Sequence, residues 1–179
     1  MAELTLADGT RVTDRGAIDA RLAPLGVHLE YWPLPQESRA QALLNRPALL
    51  PEEQEELLGF VEPRFQELKA RAGYQTRDLI VLHADLAGLS EALARFAAVH
   101  YHEDDEVRYV LDGCGYFGFV GEGGAQMLLK VLPGDYINVP ARAEHWFTMR
   151  EDRRIKAVRY FTDKAGWVPV YTHTPVTLL

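Results

Sequence analysis

In VHYHEDDEVRYVLDG, residues 99–113, two histidines flank a tyrosine, and a glutamate follows after three acidic, turn-prone residues. Side chains on a strand alternate between its faces, so His100 and His102 point the same way and can grip one ion together. Extended chain at about 3.3 Å per residue would carry Glu106 roughly 13 Å beyond His102. Glu103-Asp104-Asp105 must therefore reverse the chain, and acidic residues suit such a turn. The reversal returns Glu106 beside the histidines at the start of a second strand, which Gly113 ends. A fourth donor comes later, where Gly134, Pro140 and His145 form another turn-and-strand unit. Three imidazoles and one carboxylate make a borderline-hard donor set suited to Fe(II), Ni(II), Mn(II) or Zn(II). An octahedral ion held by four protein ligands keeps two positions for water, substrate or oxygen, as a catalytic centre needs.

Around this stretch the pattern is that of short strands. From Leu79 onward, after a short helix near Leu89–Phe96, apolar alternation is interrupted at regular spacing. The interruptions are Glu103-Asp104-Asp105, Asp112-Gly113, the glycine-rich 121–124, Pro133-Gly134, Pro140-Ala141 and 150–153. Such spacing predicts an antiparallel sandwich or barrel. The first third reads differently. Asp8-Gly9 predicts an opening hairpin. Thr13 offers an N-cap for a helix through Leu22, and 28–33 reads as a strand with Leu29 and Tyr31 on one face. Pro51 and the acidic residues after it start a helix that runs to Ala72 with a kink at Pro63. One domain over 1–179 is expected, with a largely helical part (1–78) packed on a barrel (79–179).

Composition excludes several functions. A net charge of −7 argues against nucleic acid, whose phosphates need a basic surface. No apolar run approaches the length that crosses a bilayer, and the N-terminal stretch lacks a signal-peptide core. The single cysteine, Cys114, excludes an internal disulfide framework and suits a reducing cytoplasm. A soluble, cytoplasmic monomer is expected.

His-x-His-x3-Glu-x6-Gly followed by Gly-x5-Pro-x4-His resembles the two motifs of the cupin superfamily, and implies a double-stranded β-helix (jelly-roll) barrel. Within it, the run from His100 to Tyr109, with Gly113, Gly115 and Phe117, resembles the first motif of the acireductone dioxygenase family. Val139-Pro140-Ala141 leading to His145-Trp146-Phe147 resembles its second, and Arg159-Tyr160-Phe161 and Trp167 follow in the family's order. The resemblance implies one Fe(II) or Ni(II) per chain held by His100, His102, Glu106 and His145. It also implies a small enediol, 1,2-dihydroxy-3-keto-5-methylthiopentene, and O2 as reactants in methionine salvage. With iron the family forms formate and 4-methylthio-2-oxobutanoate; with nickel, formate, carbon monoxide and 3-methylthiopropanoate. Three positions depart from the family pattern. Val99 replaces an acidic residue linked to metal loading, Arg142 replaces a glycine, and Met149 stands where many cupins have asparagine. Another metal-dependent cupin enzyme, or a cupin that binds metal or ligand without turnover, are the competing readings.

Arg108 lies two residues beyond Glu106 and shares its face, where a guanidinium can hold an enediolate. Pairing with Asp105 or another carboxylate is its structural alternative. Arg159 shares a face with Ile155, Ala157 and Phe161, so it needs an anionic partner, either substrate or a ligand carboxylate. Phe147, on the face of His145, and Trp167 are expected to hold the methylthio end, or else to be ordinary core. Val99 and Asp105 are expected as auxiliary residues of the centre. Tyr109 has the opposite parity and stays out of the site. His28, His83 and His173 lack ligand-spaced partners, and Cys114 lacks a neighbouring histidine that would activate it.

Overall fold

A computed structural model describes residues 2–150, 153–163 and 167–178; part of the turn expected at 150–153 lies outside them. The chain opens with the hairpin β1 (Glu3–Leu6) and β2 (Arg11–Val12), in whose turn the Asp8 carboxylate accepts from the Thr10 N–H at 2.8 Å. Helix α1 (Arg15–Leu22) is capped by Asp14 and not by Thr13: its carboxylate accepts from the Ala17 N–H at 2.9 Å. Strand β3 (His28–Tyr31) precedes α2 (Ser38–Asn45), α3 (Pro51–Phe60) and α4 (Glu62–Ala72). The expected kinked helix is thus two helices. The backbone breaks at Val61 (φ −109°, ψ 8°), and Pro63 sits in the first turn of α4, where its missing N–H costs nothing.

Then come β4 (Thr76–Leu82), α5 (Leu89–Phe96), β5 (His100–Tyr101), β6 (Glu106–Gly113), β7 (Gly115–Val120) and β8 (Gln126–Val131). The chain continues through β9 (Asp135–Val139), β10 (His145–Thr148), β11 (Ile155–Phe161) and β12 (Val170–Tyr171). Among the described residues these strands form two sheets, ordered β12-β5-β10-β7-β8-β1-β2 and β3-β9-β6-β11-β4. No strand pairing among them closes the sheets into a barrel, so the architecture is an open pair of sheets. The N-terminal third is more than a helical coat: β1 pairs with β8, and β3 with β9.

Alternation along β6 distributes the core. Val107, Tyr109 and Leu111 join Leu43, Leu57, Phe65 and Leu68 of the helices, while Val110 joins Phe117, Ile137, Ile155 and Ala157 on the other face. At the end of β6 a bulge shifts the register, because Lys156 faces Asp112 but Ala157 faces Val110. The fully buried Lys156 thereby reaches the Asp112 carboxylate at 2.6 Å and the Leu44 carbonyl in the last turn of α2 at 2.8 Å. A buried ammonium needs both partners, since unpaired it would cost several kcal/mol. On β3, Leu29 is buried but Tyr31 lies exposed over Gly134, and Trp32 is the buried aromatic, stacked on Tyr136 at 4.1 Å. No helix among the described residues is long and apolar enough to cross a membrane.

Candidate metal centre

The centre lies where the two sheets approach each other. His100 in β5 and His145, the first residue of β10, are direct cross-strand partners. His102 follows β5 in the turn, and Glu106 opens β6. The reversal expected at Glu103-Asp104-Asp105 is present, and it is laced to the turn that carries His145. Asp105 accepts from the Ala141 N–H at 3.0 Å and the Asn138 amide at 3.1 Å, and the Arg142 N–H donates to the His102 carbonyl at 2.8 Å. Arg142 takes the left-handed conformation (φ 67°) that explains the usual glycine, and its guanidinium pairs with Glu103 at 2.9 Å.

The donor atoms of His100, His102, Glu106 and His145 lie within 4.8 Å of one another, and all four residues are buried. Carbonyls orient two of the rings: Nδ1 of His100 is 2.7 Å from the Ala98 oxygen, and Nδ1 of His145 is 2.8 Å from that of Ala143. Each ring thus donates through Nδ1 and keeps the Nε2 lone pair for the centre. Glu106 Oε2 is 3.0 Å from His102 Nε2 and 3.3 Å from His145 Nε2. Nδ1 of His102 is buried without a partner. Burial, with His145 alongside, lowers the His100 pKa to about 4, which keeps its imidazole neutral as a ligand must be. Burial works against ionised Glu106, but the Arg108 guanidinium and the His102 imidazole hold it well below the usual carboxylate range. Three imidazoles converging on one ionised carboxylate fit a single divalent ion.

Arg108 lies on the ligand face, with Nη2 3.0 Å from Glu106 Oε1 and its guanidinium 4.5 Å above the Trp167 ring. It therefore pairs with the ligand carboxylate itself and not with Asp105. Burial lowers its pKa to about 10 despite Glu106. Arg159 also lines the cavity, and the carboxylate paired with it is Asp78 rather than a metal-ligand carboxylate. Asp78 holds it bidentately, with both contacts at 2.7 Å. Together these groups line a cavity of about 280 Å³, walled by Ile80, Leu82, Phe96, Phe117 and Phe147. Phe147 has room because position 115 is glycine; a Cβ there would come within 2.5 Å of its ring.

The Val99 side chain does not line the cavity and packs with Leu128 and Trp146 in a separate cluster. Tyr109 lies in the helix-facing core, its hydroxyl donating to the Pro33 carbonyl at 2.9 Å. His28 pairs with Glu30 at the surface, and neither His83, His173 nor Cys114 lines the cavity. Sequence reasoning missed Asp78, Ile80 and Leu82. Their shared parity on β4, an acid among inward apolar residues, was the available signal. The C-terminal segment braces the centre from outside. Strand β12 pairs with β5, the Thr172 N–H donates to the Val99 carbonyl at 3.2 Å, and the Thr174 hydroxyl donates to Glu144 at 3.2 Å. Buried Gln126 clasps the segment, donating to the Pro175 carbonyl at 2.7 Å and accepting from the Thr177 and Leu178 N–H groups.

Comparison with known proteins agrees with this geometry. The model of the ARD/ARD' family matches residues 40–169. The chain is 51% identical over 176 residues to an acireductone dioxygenase of Microcystis aeruginosa, covering 98% of this chain and 96% of that protein. It is 44% identical to one of Leptospira interrogans, covering 96% of each. Among solved structures, the acireductone dioxygenase from Bacillus anthracis with a cadmium ion in its active centre superimposes with a TM-score of 0.85. That match covers 96% of this chain and 98% of the other, at 32% identity. Site geometry, whole-chain identity and fold therefore converge: the chain belongs to the acireductone dioxygenase (ARD/ARD') family.

Proposed function

We propose that the chain is an acireductone dioxygenase of methionine salvage, which cleaves 1,2-dihydroxy-3-keto-5-methylthiopentene with dioxygen. The observation that carries this reading is the buried centre of three histidines and Glu106 opening onto a largely apolar cavity beside Arg108. Its ion is Fe(II) or Ni(II), one per chain, held by His100, His102, Glu106 and His145. By resemblance to the family, the iron-loaded chain would form formate and 4-methylthio-2-oxobutanoate, and the nickel-loaded chain formate, carbon monoxide and 3-methylthiopropanoate. When bound, the ion supplies Lewis acidity towards the enediol oxygens.

The chain's own residues do the rest. Arg108 fixes one oxygen of Glu106 and places a permanent positive charge where the enediol must lose its protons, which favours the enediolate. Phe147, Ile80, Leu82 and Phe117 receive the thioether tail, and their apolar surface keeps water from the reacting carbons. Trp167, under the Arg108 guanidinium and 5.7 Å from the His102 ring, closes the polar end rather than holding the methylthio end expected from the sequence. Asp105 acts at one remove, by joining the two turns that carry the ligands. In this reading the enzyme is a cytoplasmic monomer, and the pairing of β1 and β3 into the two sheets supports a single domain.

Aerobic consumption of the acireductone by iron- and by nickel-loaded protein, with product analysis, tests the proposal. Both forms should accelerate loss of the enediol and differ in carbon monoxide release. No acceleration by either form, with metal fully bound, overturns it.

A further inference from the structure

The register of β4, β11 and β6 sets Asp78, Arg159 and Arg108 side by side in one row across the sheet. All three line the cavity. Like charges on facing strand positions repel, yet here two guanidiniums approach one indole, at 4.5 and 5.8 Å from the Trp167 ring. Each is drawn outward to its own carboxylate. Arg108 meets Glu106 at 3.0 Å, and Arg159 meets both oxygens of Asp78 at 2.7 Å. Glu106 belongs to the metal centre, whereas Asp78 lies outside that donor cluster. Its carboxylate takes the Nε and Nη2 edge of Arg159 and offsets the charge that would otherwise draw a carboxylate from solution.

This matters because of what the proposed reaction consumes and releases. An enediol enters, and carboxylates leave. An Arg159 guanidinium without its carboxylate, beside Arg108, would make a cradle that retains carboxylates. We propose that Asp78 is a specificity-determining residue: by occupying Arg159 it withholds that guanidinium from carboxylates in the cavity, so that carboxylate products leave readily. The significance for products rests on the function proposed above, whereas the withholding of Arg159 does not, and the two are tested separately.

The test measures propanoate binding by calorimetric titration of metal-loaded protein, with metal content determined for every variant. Any contribution from the ion is common to the series, so ratios between variants isolate Arg159. Asp78→Asn keeps the shape and removes the charge; propanoate should then bind about tenfold more tightly, the gain shrinking with added salt. Asp78→Asn/Arg159→Met should return to the original affinity. The double variant removes both charges together, so its agreement with the original to within about twofold remains a test even if Asp78→Asn alone does not fold. Unchanged affinity in Asp78→Asn, or a gain that survives in the double variant, would overturn the proposal. Product inhibition by 3-methylthiopropanoate should follow the same order. Absence of turnover would remove the catalytic reading while leaving the binding result to be judged on its own.

Discussion

Metal-free protein should lose about 3 kcal/mol of stability between neutral pH and about pH 4 because of His100 alone. The imidazole is buried beside His145, and its pKa falls from the ordinary 6.5 to about 4. Each unit is worth about 1.4 kcal/mol, which gives the magnitude. The sign follows from proton counting. With the folded pKa below the unfolded one, the unfolded chain binds more protons between the two values. The stability is therefore fully present above 6.5 and is lost progressively as pH falls towards 4. Glu106, held below the usual carboxylate range, adds a loss of the same sign at lower pH, beneath its ordinary 4.5. Urea unfolding of metal-free protein across this range measures the effect, and His100→Asn should flatten the upper window while leaving the Glu106 window in place. An ion requires neutral imidazoles, so loaded protein should show a steeper decline. A metal-free protein equally stable from about pH 7 to about pH 4, or a His100→Asn variant with the full slope, would refute the reasoning.

Arg108→Met should retain metal, by mass spectrometric metal analysis, while turnover falls about 10²- to 10³-fold through loss of the charge beside the enediolate; equal loss of metal would make Arg108 only a brace for Glu106. Gly118→Ala places a Cβ 1.9 Å from the fully buried Trp146 ring, next in sequence to His145. It should cost about 3 kcal/mol in denaturant unfolding and weaken metal binding in a competition assay. Unchanged stability would show that the indole can shift without consequence.

The ligand quartet was legible because its signals are local. Strand alternation places His100 with His102, and three turn-prone residues return Glu106. The rest depends on pairings that leave no local trace. Asp78 meets Arg159 from another strand, 81 residues away, so the need for an anionic partner was readable but its identity was not. The hairpin β1–β2 and strand β3 were visible as short extended pieces, while their membership of the two large sheets depends on β8 and β9 far downstream. Val99 separates two kinds of argument. The family resemblance draws it towards the metal, whereas alternation turns it away from His100, and the structure follows alternation. Arg142 was legible as a departure but not as a tolerated one, because its compensation comes from Glu103 and the His102 carbonyl across the turn.

The bracing of the centre by the C-terminal segment has a consequence for the order of assembly. Strand β5, which carries the first ligand, is two residues long and sits between β10 and β12. During synthesis His100, His102, Glu106 and His145 all leave the ribosome before β12 and the segment clasped by Gln126. Until those residues arrive, β5 has one flanking partner, and the carbonyl of Val99 and the side chain of Glu144 lack their threonine contacts. Closing such long-range contacts is the slow, entropically costly part of folding. The nascent chain therefore holds a complete set of donors without a complete site, and tight capture of the ion belongs to the end of folding rather than its beginning.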